Sequence, residues 1–202
     1  MLFFFAQIPH DTAQGNSASG RVSLFFLVAI SWMPMIHTEP MPARAATLAD
    51  APAIARIYNE GIADRIATFE TRERTADDLR ERLSSPQAAQ HPAVVIVEAG
   101  EVLAFAWSAP YSAREVYAGI GDHGVYVARA ARGQGHGAAA LRALMEAAKA
   151  AGLHKLTSRI LTENTPSRRL HVHCGFREVG IHQRHAQLDG LWRDVVTVEV
   201  LL

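Results

Sequence analysis

A short glycine-rich loop has the clearest chemical purpose in this sequence. Glycines have no Cβ, so the backbone can turn tightly and a ligand can approach its N–H groups closely. A helix pattern follows the loop, and a helix N-terminus favours anions through its dipole and unpaired donors. We therefore predict that the loop binds a phosphate or pyrophosphate group, with an arginine adding a permanent positive charge. The loop consists of Arg132, Gly133, Gln134, Gly135, His136 and Gly137.

Two common phosphate-binding motifs do not fit this loop. A P-loop ends in Lys followed by Ser or Thr, whereas Gly137 is followed by Ala138 and Ala139. A dinucleotide-binding fingerprint needs G-x-G-x-x-G spacing and an acidic residue about 20 positions further on. The glycines here alternate, and residues 157–159 read Thr-Ser-Arg in that later region. A plain glycine-rich turn at a helix entry remains the alternative to an anion site.

The hydrophobic pattern predicts the elements that position the loop. The helix after it carries Leu141, Leu144, Met145 and Ala148 on one face and ends at Gly152. An earlier helix begins at Asp50 as N-cap, and two more are predicted over residues 76–83 and 164–174. Strands are predicted over residues 43–47, 93–98, 102–109, 117–127, 155–161, 177–185 and 193–201. This order indicates an α/β fold, a mixed sheet with helices on both faces.

A second patterned stretch follows the fifth strand. Its members are Asn164, Ser167, Leu170, His171, Cys174, Gly175 and Phe176. With the glycine loop it resembles the two signatures of the GNAT acetyltransferases, in which the loop binds the acetyl-CoA pyrophosphate and the Asn and Ser contact the pantetheine arm. The resemblance spans residues 43–202. It implies the GNAT acyl-CoA N-acyltransferase fold, with a mostly antiparallel twisted central sheet, and acetyl-CoA as co-substrate.

The resemblance can be narrowed to one branch of the family. The segments over residues 57–62, 65–72, 110–117 and 190–195 are similar to those of phosphinothricin N-acetyltransferases. That branch includes enzymes acting on methionine sulfoximine, methionine sulfone and arsinothricin. It implies acetyl transfer to the α-amino group of a glutamate analogue, without a covalent enzyme intermediate, by a cytoplasmic homodimer.

The resemblance places the proton chemistry at the entry to the Val125-Tyr126-Val127 strand. The substrate ammonium must lose a proton before its nitrogen can attack. The family has a Glu where Asp122 stands here, and the shorter side chain favours a bridging water. His123 is expected either to share the task or to be a surface histidine.

Two further roles follow from the same resemblance. The backbone N–H groups of Val125 and Val127 are expected to stabilise charge on the thioester oxygen. His171 occupies a position that can protonate the departing thiolate; a helix histidine bonded to backbone is its alternative.

The acceptor site needs a cation for a phosphinate or arsinate end. Arg114 is our candidate, since a guanidinium holds such an oxyanion through two hydrogen bonds. Phe69, Glu70 and Thr71 are expected to wall the amino-acid end of the pocket. We expect no metal, because the histidines lack partners at ligand spacing; His182 and His185, three apart on a strand, should point to different faces.

Composition restricts the partners and the compartment. Twenty basic and 20 acidic residues cancel, which argues against a nucleic-acid partner. The single Cys174 excludes an internal disulfide framework and fits a reducing compartment.

Residues 22–36 are too short and interrupted for a good membrane span. They resemble a signal-peptide core, but we favour translation starting at Met41, or at Met33 or Met35. We expect residues 1–42 to be an extension outside the fold; a membrane tether is a third, weaker interpretation.

Two rival functions stay open. One is acetylation of another small amine or of a protein N-terminus. The other is a regulatory module that binds acetyl-CoA without catalysis. A basic acceptor would need an acidic pocket. Removal of the proposed general base, Asp122, would abolish turnover but spare CoA binding in an enzyme, which distinguishes it from a regulatory module.

Overall fold

A seven-stranded sheet organises residues 42–202, which are the residues that the computed structural model describes. The strands are β1 (Ala43–Ala45), β2 (Ala93–Glu98), β3 (Glu101–Pro110), β4 (Ile120–Val127), β5 (Lys155–Leu161), β6 (Arg177–Leu188) and β7 (Leu191–Leu201). The helices are α1 (Ala51–Ala63), α2 (Ala76–Leu83), α3 (His136–Ala150) and α4 (Thr165–His173). The expected N-terminal extension falls almost entirely outside the described residues and stays a prediction.

The strand order is β1-β2-β3-β4-β5-β7-β6, and only the β4–β5 pair is parallel. The predicted mixed, mostly antiparallel sheet is therefore confirmed. The parallel step follows from the α3 crossover between β4 and β5, because parallel neighbours need a long connection.

Two hydrophobic layers cover the two faces of the sheet. On one face Leu141 and Leu144 of α3 are fully buried in a core shared with Leu156 and Val196. On the other, side chains of α1 and α2 pack over an aromatic group around Phe105. The members of that second layer include Ile54, Ile57, Tyr58, Leu79, Val95 and Phe105. Burying each large apolar side chain contributes roughly 1.5–3 kcal/mol before the entropy cost of ordering it.

The sequence prediction matches β2, β5 and α2 to the residue and differs at the ends of other elements, most at β4 and in the last hairpin. The segment before β4 was expected to be strand from residue 117, yet Glu115–Tyr117 is a 3-10 turn and β4 begins at Ile120. The last hairpin is longer than predicted, because Asp189 and Gly190 both have positive φ (51° and 77°) and close a tight two-residue turn.

The role expected for Asp50 needs a correction. It stands at the N-cap of α1, but its side chain makes no cap hydrogen bond there. Both carboxylate oxygens instead accept from Arg44 at 2.7 Å, and the backbone N–H of Thr47 donates to Oδ2 at 2.8 Å. The Arg44 hydrogen bonds hold the pKa of Asp50 at about 2, below the usual range of an aspartate. Asp50 therefore anchors β1 to the start of α1.

We expect Asp50→Asn to lower the free energy of unfolding by about 1–2 kcal/mol at pH 7. Because the folded pKa is depressed, this stabilisation is present above pH 4 and disappears as pH falls through about 2. Urea unfolding at pH 7 and pH 3 measures the difference. Asp77→Asn, at a carboxylate 88% exposed, is the control. A pH-independent difference for Asp50→Asn would contradict this account.

Candidate active site

The sheet splits open between β4 and β5. Their ladder ends at Asp122, whereas β4 stays paired with β3 through Val127. The Ser158 hydroxyl donates to the carbonyl of His123 at 2.8 Å, so that carbonyl faces β5. Peptide groups alternate sides along a strand, so the N–H groups of Val125 and Val127 also face the gap. Donors at this edge can reach a ligand placed between the strands.

A groove of about 480 Å³ runs from the glycine loop to this gap. Gly133 and Gly135 have φ of 78° and 91°, in the region that favours glycine. A Cβ on Gly133 would meet no atom within 4 Å, so the loop leaves open space beside its backbone. Helix α3 begins at His136, and its first N–H groups lack helical acceptors. These features fit a pyrophosphate-bearing ligand. The lining also includes Val125, Val127, Arg132, His136, Gly137, Asn164 and Ser167.

Two loop side chains have internal partners. The Gln134 amide turns back and donates to the carbonyl of Ala130 at 3.2 Å, which supports the turn. Arg132 lies 2.7 Å from Asp64, whose other oxygen accepts from Arg129 at 2.6 Å. Burial alone would raise the pKa of Asp64, but hydrogen bonds from the two arginines outweigh it and lower the pKa. Asp64 thus holds the Arg132 guanidinium beside the groove and links it to Arg129.

A second groove of about 480 Å³ lies on the other side of the gap. It shares Ile66, Ala67, Val125, Tyr126, Asn164 and Ser167 with the first groove. Its own lining includes Phe69, Glu70, Asp122, His123, Arg159, His171 and His185. The two grooves therefore meet at the β4–β5 gap.

Asp122 reaches this second groove with a partner that the sequence did not suggest. Its Oδ2 accepts from the Arg159 guanidinium at 2.6 Å across the two strands. The second carboxylate oxygen remains the one available to a water or a substrate. The pair puts a negative and a positive group side by side at the edge of the groove.

His123 and His171 form a buried pair. The alternative that His123 is a surface residue is wrong, since it is only 6% exposed and His171 only 2%. Their Nε2 atoms lie 3.0 Å apart, and the Nδ1 atoms face the carbonyls of Thr157 at 2.9 Å and Ser167 at 2.7 Å. Burial, with His171 nearby, lowers the pKa of His123 to about 3, and burial also lowers that of His171.

Asn164 is the N-cap of helix α4. The Asn164 Oδ1 accepts from the Ser167 N–H at 3.1 Å, and its amide donates to the carbonyl of Ile66 at 3.0 Å. Asn164 thereby ties α4 to the connection between α1 and α2. This leaves the Ser167 hydroxyl beside both grooves.

The residues predicted to hold the acceptor fall in different places. Phe69 and Glu70 line the second groove, and Glu70 pairs with Arg74 at 2.7 Å. Thr71 is exposed beside them. Arg114 lies elsewhere, in a smaller hollow of about 130 Å³, with its guanidinium 5.5 Å from the Tyr117 ring. In this single chain the structure does not bring Arg114 to the groove that holds Asp122.

Sequence reasoning missed an aromatic wall behind Asp122. Trp107 and Tyr126 approach Gly124 so closely that a Cβ there would lie 3.2 Å from Trp107 Nε1 and 3.0 Å from Tyr126 Cε2. Arg82 stacks on the far side, 4.1 Å from the Trp107 ring. Burial raises the pKa of Tyr126, and nearby Tyr58 adds to the shift. The glycine before the Val-Tyr-Val run was the available signal, since a side chain there would be crowded by both rings.

His182 and His185 differ from expectation as well. A bulge between His182 and Ala186, with Arg184 at a φ of 49°, brings the centroids of the two histidine rings within 5.2 Å of each other, whereas we expected them on opposite faces.

Within residues 42–202 no group of three or more His, Cys, Asp or Glu side chains is placed to hold a metal. In the same residues no helix is long and apolar enough to cross a membrane.

Comparison with known proteins agrees with this geometry. The model of the acetyltransferase (GNAT) family matches residues 54–176. A phosphinothricin N-acetyltransferase of Streptomyces coelicolor is 32% identical over 168 residues, 82% of this chain and 98% of its own. An L-methionine sulfoximine/L-methionine sulfone acetyltransferase of Pseudomonas aeruginosa is 34% identical over 163 residues, 79% of this chain and 93% of its own.

Solved structures show the same likeness. A phosphinothricin acetyltransferase from Sinorhizobium meliloti, in complex with acetyl-CoA, has a TM-score of 0.75 at 26% identity and covers 81% of this chain and 89% of its own. A ribosomal-protein-alanine N-acetyltransferase from Brucella melitensis has a TM-score of 0.76 at 30% identity, with coverage of 80% and 99%. The resemblance inferred from the two signatures is confirmed. The chain belongs to the GNAT acetyltransferase family, in the branch of the phosphinothricin and methionine sulfoximine acetyltransferases, and is an acetyl-CoA-dependent N-acetyltransferase.

Proposed function

We propose that the protein acetylates the α-amino group of a glutamate-analogue toxin such as arsinothricin or phosphinothricin, and so detoxifies it. The observation that carries this proposal is the meeting of two grooves at the β4–β5 gap, one at the glycine loop and one at Asp122. An acyl donor in the first groove and an amino acid in the second would place their reacting groups at the same opening. The names of the relatives support the substrate class.

Acetyl-CoA supplies a thioester that can be attacked directly by an amine. The residues proposed to hold it are Val125, Val127, Arg132, Gly133, Gln134, Gly135, His136, Gly137, Asn164 and Ser167. The loop N–H groups and Arg132 neutralise phosphate charge. The N–H groups of Val125 and Val127 face the gap and would stabilise negative charge as it develops on the thioester oxygen.

Asp122 is the proposed general base, and His123 and His171 complete the proton path. Asp122 lies at the edge of the acceptor groove and retains one oxygen free of Arg159. His171 faces the groove from α4 and can return a proton to the departing sulfur. Direct transfer needs these groups but no nucleophile, and burial raises the pKa of the Cys174 thiol, which suits an inert residue.

The oxyanion of the acceptor needs a positive group. Arg159 borders the groove and is the candidate within one chain. Arg114 stays in the proposal through a second copy of the chain, because we also propose a cytoplasmic homodimer. Edge strand β6 and the first residues of β7 expose Ile181, Leu191 and Trp192, each more than half exposed, which is a surface suited to pairing. Trp192 is therefore not the core residue that its size would suggest.

The acceptor is identified by measuring CoA release with phosphinothricin, arsinothricin, methionine sulfoximine, glutamate and spermidine. We expect strong preference for one oxyanionic analogue over glutamate and no turnover of spermidine. A chain that binds acetyl-CoA but acetylates none of the five would remove the proposed substrate class. Comparable rates with glutamate and the toxins would argue against a detoxifying role.

A second candidate is acetylation of a protein N-terminus, favoured by the likeness to the ribosomal-protein-alanine acetyltransferase. Adding a peptide with N-terminal alanine to the same assay separates it from the first. A regulatory module that only binds acetyl-CoA predicts no turnover with any acceptor.

A further inference from the structure

The contacts of the two buried histidines leave room for one proton more than two neutral rings carry. A neutral imidazole has one N–H and one lone pair, while a protonated ring has two N–H groups. Each Nδ1 faces a carbonyl oxygen, which only accepts, so each Nδ1 carries a hydrogen. The Ser167 hydroxyl also lies 3.5 Å from Nδ1 of His171, but the Ser167 carbonyl is much closer at 2.7 Å. In two neutral rings both Nε2 atoms would then be lone pairs, although they lie 3.0 Å apart.

One added proton satisfies all three contacts at once. It lies between the Nε2 atoms of His123 and His171, bonded to one and accepted by the other. Without it, either the two lone pairs repel or one Nδ1 presents a lone pair to a carbonyl. Burial opposes the added charge, because the rings are shielded from water. The hydrogen-bond geometry therefore favours binding of this proton, whereas burial disfavours the charge that it brings.

The charged surroundings of the pair are few. From β4 and β5 the Asp122–Arg159 ion pair borders the same groove, and from the α1–α2 connection Glu70 does so, paired with Arg74. Tyr126 of β4 and His185 of β6 also line it. The Phe176 ring covers both histidines, with centroids 4.9 Å and 5.1 Å away. These opposite charges largely cancel, so the position of the proton depends mainly on the contacts of the two histidines themselves.

We propose that His123 and His171 act as one unit that holds a single shared proton, taken from the ammonium of the acceptor during each turnover. This inference rests on the proposed function for its substrate. It adds that neither ring works alone, that the carbonyls of Thr157 and Ser167 fix both tautomers, and that His123 is a catalytic residue equal in importance to His171.

The proton balance is complete with the groups named. Asp122 and a groove water relay the first proton from the ammonium nitrogen to the histidine pair, and the N–H bonding electrons stay on nitrogen. The nitrogen then forms a bond to the thioester carbon, and the carbon–sulfur bond breaks with its electrons going to sulfur. The pair gives its shared proton to that sulfur through His171 and takes up the nitrogen's second proton by the same relay. The products are the amide and the CoA thiol, and the pair then releases this second proton to solvent.

The shared proton is tested on the wild-type protein by NMR of ¹⁵N-labelled histidine, without acceptor. We expect the two rings to take up one proton in a single joint step, with both Nδ1 atoms protonated throughout. Signals are assigned with His123→Asn and His171→Asn. Independent titration of the two rings, or a hydrogen on each Nε2, would overturn the inference.

Kinetics test the use of that proton. Asn at position 123 can still donate to His171 but cannot take up a proton, so we expect kcat to fall about 10²-fold with little change in KM for acetyl-CoA. His173→Asn is the matched control, since this exposed histidine of the same helix accepts a bond from Arg142 at 3.0 Å and should keep full activity. Circular dichroism and CoA binding exclude misfolding of either variant.

The outcomes separate this inference from the proposed function. If the wild type acetylates the toxins and His123→Asn keeps its kcat and pH profile, the shared proton has no catalytic use and the inference fails alone. If no acceptor is turned over while the joint step is present, the proposed function fails and the shared proton still stands.

Discussion

Asp122→Ala should lower kcat by about 10²–10⁴-fold and leave the affinity for acetyl-CoA unchanged. The carboxylate lies at the entrance to the gap, where it can accept a proton from the acceptor ammonium directly or through one water. The glycine loop lies on the other groove and does not depend on Asp122. Steady-state CoA release and calorimetric binding of acetyl-CoA measure the two effects separately.

A matched control exists for the loss of an ion pair. Glu178 accepts from Arg168 at 2.8 Å and 3.0 Å, as Asp122 does from Arg159, but lines neither groove. Glu178→Ala should therefore keep its turnover. Arg159→Gln separates acceptor binding from proton transfer, since it should raise the KM for an oxyanionic acceptor more than it lowers kcat. An Asp122→Ala enzyme with wild-type kcat would rule out this carboxylate as the base.

Gly135→Ala should weaken acetyl-CoA binding at least tenfold. Gly135 is the N-cap of α3 with a φ of 91°, and a Cβ there strains the turn whose N–H groups are proposed to meet the pyrophosphate. Gly152 ends the same helix with a φ of 88° and lies outside both grooves. Both alanine variants should lose about 1–2 kcal/mol of stability from the strained backbone.

Only the Gly135 variant should lose affinity for acetyl-CoA. Calorimetry with acetyl-CoA and thermal melts without it measure affinity and stability independently. Equal affinities in the two variants would show that the loop does not hold the phosphate group, whatever their stabilities.

The sequence was sufficient where local pattern decides structure. Strand β2 is a continuous apolar run closed by a turn at Ala99 and Gly100, both with positive φ, and α2 begins at the capping residue Thr75. The start of β4 was misjudged because residues 115–119 have no local feature that separates a 3-10 turn from an extended chain. The bulge in β6 escaped for a similar reason, since Arg184 does not resemble a residue with positive φ.

The site was predictable in its local parts and not in its long-range contacts. The glycine loop and the Asn164 signature are short motifs, so their positions could be read directly. The pairing of His123 with His171 joins residues 48 apart, and that of Asp122 with Arg159 joins residues 37 apart. Such contacts depend on strand order and on the crossover through α3, which one sequence does not specify. The hollow that Arg114 enters was not predictable for the same reason, because its position in a loop does not specify its neighbours.

The short β4–β5 ladder divides the sheet into two antiparallel halves that are joined by three residue pairs. Within the halves, the β3–β4 and β5–β7 ladders have seven residue pairs each. Helix α3 bridges this seam, since Leu141 and Leu144 share one core with Ile96 on one side and Val196 on the other. The mechanical continuity of the fold thus passes through apolar side chains at the seam more than through backbone hydrogen bonds. Reaction chemistry is located where the two halves are least tightly tied, and the buried face of α3 sets how wide that seam can open.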